Sequence, residues 1–164
     1  MTEIGGRHLA ASLQDAVRDA ISVEVGSVYV DAACVRYREE DYDVTPWLRE
    51  FLKNYSELTV IWNYKNDSGI AATKLSTVVN CALSVPRRNV RNDVRRIGKP
   101  VLPVGLASET EDRVLLAEDG EILIAGDAGT QRVANGFEAA IRALIANDWD
   151  KTYLFSSNIP PNIA

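Results

Sequence analysis

Apolar residues recur along this chain with two different periods, and the changes between them mark out its elements. Leu13, Ala16, Val17, Ala20 and Ile21 fall on one helical stripe behind Ser12, which with Asp15 three residues on reads as an N-cap followed by an acidic residue. Residues 28–30 read as a short extended piece, and Asp31 is placed to cap a second helix that runs through Tyr37 into the acidic run Glu39, Glu40 and Asp41. Thr45-Pro46 predicts a further helix start, because threonine accepts from free amides and proline at the first helical position loses nothing by lacking an N–H. Trp47, Leu48, Phe51, Leu52 and Tyr55 then form one broad apolar face. From Leu58 to Tyr64 the period drops to two, with Leu58, Val60, Trp62 and Tyr64 on one side of a strand.

Asn66-Asp67-Ser68-Gly69 is turn chemistry, and residues 70–83 fit a strand or a helix equally. Pro86 opens a helix with a narrow apolar stripe of Val90, Val94 and Ile97, ended by Gly98 and Pro100. Residues 101–106 and 113–117 read as strands, and Asp119-Gly120 before Ile122-Leu123-Ile124 predicts a hairpin. Asn135 and Glu138 have the spacing of a capping box ahead of a helix bearing Phe137, Ala140, Ile141, Leu144 and Ile145. The pattern predicts a single α+β domain over residues 1–155 with a mostly antiparallel sheet, followed by a flexible tail over residues 156–164.

The order of these signals resembles the third subfamily of the SUKH superfamily, bacterial immunity proteins of polymorphic toxin systems. The resemblance is carried by the first helix and residues 26–31, by Pro46-Trp47-Leu48-Arg49-Glu50-Phe51-Leu52 and by Leu58-Thr59-Val60. It continues through Ile97-Gly98-Lys99-Pro100-Val101-Leu102-Pro103-Val104-Gly105, the most distinctive piece, with its Pro-x-Gly inside a strand. Leu115-Leu116-Ala117-Glu118-Asp119-Gly120-Glu121-Ile122 is similar to the family's hairpin, and Asn135-Gly136-Phe137-Glu138-Ala139-Ala140-Ile141 to the start of its final helix. Two departures stand at turns. The family usually has two glycines before the leucine of the long strand, where this chain has Ser56-Glu57-Leu58, and the basic residue that often follows the glycine at position 26 is here Ser27. The resemblance implies helices packed against a strongly bent sheet, and a function of binding and neutralising a toxin domain, often a nuclease or nucleic-acid deaminase, without catalysis.

Charge sharpens this expectation. The chain carries −5 overall, from 18 basic and 23 acidic residues, but residues 86–99 hold six basic residues against one acidic. The remainder therefore has 12 basic against 22 acidic, or −10, a field that attracts a basic partner and repels nucleic acid. Glu39, Glu40, Asp41 and Asp43 form one acidic cluster and Glu109, Glu111 and Asp112 another; neither has calcium-loop spacing, and both suit the basic surface of a nucleic-acid enzyme. Trp149, between Asp148 and Asp150, is the candidate exposed anchor, whereas Trp47 and Trp62 fit core faces. These acidic residues and Trp149 are the expected toxin contacts. The alternative is a regulatory nucleic-acid-binding module that uses Arg88, Arg91 and Arg95 on one flank of the basic helix, although no aromatic residue interleaves with them to stack on bases.

Catalytic chemistry is thin. His8 is the sole histidine, phosphate-binding glycine loops are absent, and Cys34 and Cys81 lie far apart with no metal-ligand spacing, so free thiols are expected and no metal or cofactor. No run of about 18 apolar residues occurs, and Glu3, Arg7 and His8 interrupt the segment where an export signal would be apolar, so the expected location is the cytoplasm.

Overall fold

The period-two segment becomes the longest strand of a sheet that the chain builds in sequence order. In a computed structural model, residues 8–156 are described, the last two by their backbone alone. They form α1 (Ala11–Ala16), β1 (Ser22–Val25), α2 (Val30–Glu39), α3 (Pro46–Tyr55), β2 (Leu58–Asn66), β3 (Gly69–Ser76), α4 (Val79–Ala82), α5 (Arg87–Ile97), β4 (Val101–Ala107), β5 (Asp112–Ala117), β6 (Glu121–Gly126), β7 (Gly129–Asn135), α6 (Phe137–Ala146) and β8 (Tyr153–Ser156). All eight strands pair antiparallel as one meander from β1 to β8, interrupted by α2 and α3, by α4 and α5, and by α6. The expected α+β domain with an antiparallel sheet is what the chain adopts.

Alternation along β4, β5 and β6 divides the interior. Leu102, Val104, Val114, Leu116, Ile122 and Ile124 face the main core with Leu13, Tyr37, Leu48, Leu52, Val60 and Ile141. Val101, Leu115, Ala117, Leu123 and Ala125 face the other way, onto Val94 and Ile97 of α5. These strands are covered on both faces, which is why they read as continuous apolar runs rather than as half-polar ones.

Several local expectations hold with their predicted chemistry. Thr45 Oγ1 accepts from the Leu48 amide at 3.1 Å, with Pro46 opening α3. Gly98 ends α5 at φ 83°, and Asp119-Gly120 joins β5 to β6. Cys34 is buried, Cys81 half-buried, and neither is in a disulfide. Others are replaced. The capping box does not form: α6 begins at Gly136 without a side-chain cap, Asn135 ends β7 opposite Glu121, and the Glu138 carboxylate instead accepts from Tyr55 at 2.9 Å and Ser12 at 3.0 Å. Ser12 is thus a tether between α1 and α6 rather than an N-cap, and α1 stops at Ala16 so that the chain can enter β1. Asp31 caps nothing; it sits in the first turn of α2 and pairs with Arg49 at 2.7 Å. Residues 70–83 split into β3 and α4. Of the predicted tail, Ser156 pairs with Gly129 in β8, and residues 157–164 lie outside the described residues.

The departure at Ser56-Glu57 has a physical reading. Glu57 adopts φ 62°, a left-handed conformation that glycine adopts without strain, so the turn keeps its geometry despite the side chain. That side chain is used, since its Oε2 accepts from the Val79 amide at 2.7 Å and so satisfies the start of α4.

The Pro-x-Gly of β4 marks its two tightest contacts. The carbonyl of Pro103 accepts from the buried Tyr37 hydroxyl at 2.7 Å, a bulge follows at Val104, and at Gly105 a Cβ would lie 2.2 Å from the Ser76 carbonyl oxygen. Gly105→Ala is therefore expected to cost about 3 kcal/mol, read as a lower urea midpoint with unchanged slope; an unmoved midpoint would mean that β4 can draw back from Ser76 freely. On the other face, Asp93 of α5 is buried and accepts twice from Arg113 of β5, at 2.6 and 2.9 Å. Asp93→Ala strands the Arg113 charge and is expected to cost about 3–5 kcal/mol, whereas a loss under about 1 kcal/mol would mark the pair as solvent-screened.

Candidate functional site

β2 pairs with the whole of β3, but β4 joins β3 only at Leu75 and Ser76 before the strands part. The parting opens a cleft of about 280 Å³. Trp62 and Tyr64 of β2, Thr73 of β3, Ile124 of β6 and Leu144 of α6 line it, together with Glu109, Asp112 and Trp149. Three residues singled out in the sequence, from two distant segments, thus meet at one place.

The turn between β4 and β5 holds the acidic side of this cleft. Ser108 and Glu111 both take positive φ, 64° and 53°, and the turn is laced by Ser108 to Thr110 at 2.7 Å and Thr110 to Asp112 at 3.0 Å. Asp112 is half-buried, and desolvation raises its pKa, aided by the nearby Asp127 and opposed by the Thr110 hydroxyl and Arg113. Glu109 and Glu111 are exposed, with no ion pair among the described residues. Trp149, expected to be exposed, is half-buried against the main core, with the Lys151 ammonium 5.7 Å from its ring centre. The chain turns there because Asn147 ends α6 in the left-handed region, and Lys151 donates to the Asn147 side chain.

The other acidic cluster lies elsewhere. Glu39, Glu40, Asp41 and Asp43 are exposed at the end of α2, and Asp41 turns toward the basic helix, where Arg87 donates to its carbonyl at 2.6 Å and approaches its carboxylate at 3.9 Å. Between them runs a groove of about 500 Å³ that contains Tyr42, Trp47, Val90, Arg91, Val94 and Arg95. Trp47, expected in the core, is half-buried and lines this groove. It supplies beside Arg91 and Arg95 the aromatic ring that the helix itself lacks, from a segment far away in sequence. Arg88, Arg91 and Arg95 are exposed and have no ion pair among the described residues, so neutralisation by the chain's own acids reaches Arg87 but not this flank.

In the sequence Trp62 and Tyr64 read as members of an aromatic patch with Trp47, Trp149 and Tyr153, with Trp62 favouring the core, where it is indeed buried; nothing in their spacing tells where a neighbouring strand will part from the sheet. Among the described residues, no group of three or more His, Cys, Asp or Glu is placed to hold a metal, and no helix is long and apolar enough to cross a membrane. His8 is exposed and lies 3.5 Å from the Gln14 side-chain nitrogen.

Searches of curated proteins and of solved structures return no match. A family model described as SUKH-3 immunity protein matches residues 18–147, which take in every element from β1 to α6, both acidic clusters and the basic helix, while Trp149 and β8 lie just past its end. With that match covering most of its length, the chain belongs to the SUKH-3 immunity protein family.

Proposed function

We propose that this protein neutralises a cognate toxin domain, a nuclease or nucleic-acid deaminase, by binding and occluding it in the cytoplasm without catalysis. The family supplies the immunity role. The observation that carries the finer reading is the meeting of Trp149 with Glu109 and Asp112 at an aromatic-lined cleft. Apolar side chains in such a cleft give affinity, and unpaired carboxylates at its rim speed the encounter with a basic surface. The acidic cluster of Glu39, Glu40, Asp41 and Asp43 adds to the same long-range field.

A second reading has one specific observation behind it. Trp47 beside Arg91 and Arg95 combines a ring for stacking with cations for phosphate, the arrangement of a single-strand binder.

The first test is co-expression with the toxin domain encoded beside this gene, scored by survival and co-purification; toxicity without a complex would overturn the proposal. Within a complex that forms, Trp149→Ala is expected to weaken binding by about 30-fold, mainly through faster dissociation. Glu109→Lys with Glu111→Lys is expected to slow association by about tenfold at low salt, an effect that fades as salt shortens the Debye length below about 10 Å. Equal association rates at all salt concentrations would remove the steering role. Replacing Arg88, Arg91 and Arg95 by Ala separates the two readings: neutralisation is expected to stay intact, whereas loss of protection together with loss of single-strand binding would favour the basic groove.

A further inference from the structure

We infer that the outer edge of β3 is a strand-addition site, and that its occupant is an extended segment of the toxin domain carrying a large apolar side chain flanked by Lys or Arg. This rests on the toxin-binding reading and names the part of the partner that the cleft would take.

The register decides which groups are free. Along a strand, the N–H and C=O of successive residues point to alternate sides. Thr77, just past β3, donates its amide to Leu58 on the β2 side at 2.8 Å, whereas the carbonyl of Lys74 accepts from the Ser108 amide on the β4 side, also at 2.8 Å. Alternation from Lys74 therefore turns the main-chain groups of Ala72 and Ile70 away from β2. β4 has left by then, since it pairs with β3 only at Leu75 and Ser76, so these groups face no strand among the described residues.

The edge is also unguarded. Proteins protect exposed edges by keeping them short, or with charges, prolines or bulges. The sheet's outermost strands, β1 and β8, have four residues each, and β1 carries an exposed Glu24. Lys74, the one charge on β3, is exposed at the end where Ser108 still approaches, but Ile70-Ala71-Ala72-Thr73 has no charge and no proline, the sheet's bulges lie at other strands, and Ile70 is 69% exposed.

What lies beside the edge selects the occupant. Trp62 pairs with Thr73 and so shares its face, and both line the cleft. A strand added along Ile70 and Ala72 would send alternate side chains onto that same face, where the aromatic lining suits an apolar one. Glu109, Asp112, Lys74 and Lys151 also line the cleft, two charges of each sign, and the surplus acid stands on the turn, where Glu109 and Glu111 are both exposed without an ion pair among the described residues; a Lys or Arg beside the apolar residue would meet that turn.

The test uses the full chain with the toxin domain encoded beside its gene. In hydrogen exchange, the amides of Ile70 and Ala72 are expected to exchange rapidly in the free protein and at least 100-fold more slowly in the complex. Ala72→Pro removes an amide that the β2 ladder does not use, and Ile70→Lys places a guarding charge on the edge without constraining the backbone. Each is expected to weaken the complex at least 30-fold while the melting temperature stays within a few degrees of wild type. Wild-type affinity in both variants, or amides that stay fast in the complex, would overturn the edge assignment while leaving toxin binding in place. Failure of the wild-type chain to bind the toxin would instead remove the reading on which it rests. Concentration-dependent protection of Ile70 and Ala72 without toxin, with a dimer mass in ultracentrifugation, would assign the edge to a second copy and overturn the toxin segment.

Discussion

At Gly105 the backbone of β4 passes so close to β3 that no side chain fits between the strand and the Ser76 carbonyl. The close pass fixes where the two strands touch: the bulge at Val104, in the pairing with β5, precedes it, and Leu106 and Ala107 then pair with Ser76 and Leu75 before β4 ends. Proline two residues earlier serves the same end: it gives up an amide, and its carbonyl is held by Tyr37 from α2. One helix and two strands are therefore brought together by three consecutive residues. The aromatic cleft and the free stretch of β3 lie past that contact, where β4 ends at Ala107 and turns through Ser108 into β5.

The opposite face is organised by charge. α5 is the most basic element of the chain, yet it is anchored by its one acid, Asp93, buried beneath it against Arg113. A buried carboxylate with a two-point partner fixes the rotation of the helix about its own axis more sharply than the three apolar residues Val90, Val94 and Ile97 do, because hydrogen bonds are directional and burial is not. With that rotation fixed, Arg88, Arg91 and Arg95 are held outward, and their charge is left for solvent or a partner.

Most of the architecture was legible in the sequence because its signals were local. Thr45-Pro46, Gly98 and Asp119-Gly120 act on amides and carbonyls within a few residues, and the period-two run at Leu58 needs no partner to be seen. Misreadings arose where a side chain was claimed from afar. Glu138 has capping-box spacing, but the hydroxyls of Tyr55 and Ser12, one on α3 and the other on α1, reach it instead. Burial, followed by the hydrogen bond to Glu138, pushes the Tyr55 hydroxyl up to about 12, consistent with its acting as a donor there. β1 and β7 were overlooked because four apolar and polar residues in alternation, or a run such as Gly129–Asn135, acquire meaning only from the strands beside them. For the site, Glu109, Asp112 and Trp149 were legible as chemistry but not as neighbours, and Trp47 was assigned to the core because helical spacing tells which face is apolar, not how deeply that face is covered.

The distribution of charge has a consequence for how any partner approaches. The groove beside α5 and the cleft beside β3 share no lining residue, and each mixes the two signs: Arg87, Arg91 and Arg95 face Asp41 and Asp43 at one, Glu109 and Asp112 stand with Lys74 and Lys151 at the other. A chain with the same net charge spread evenly would attract a basic partner from every direction and gain rate without orientation. With six of the 18 basic residues in residues 86–99 and Arg88, Arg91 and Arg95 unpaired among the described residues, a basic partner would meet less attraction at the outer flank of α5 than at the turn of Glu109 and Glu111. Weaker attraction at the wrong face reduces unproductive encounters, which attraction at the right face alone cannot do.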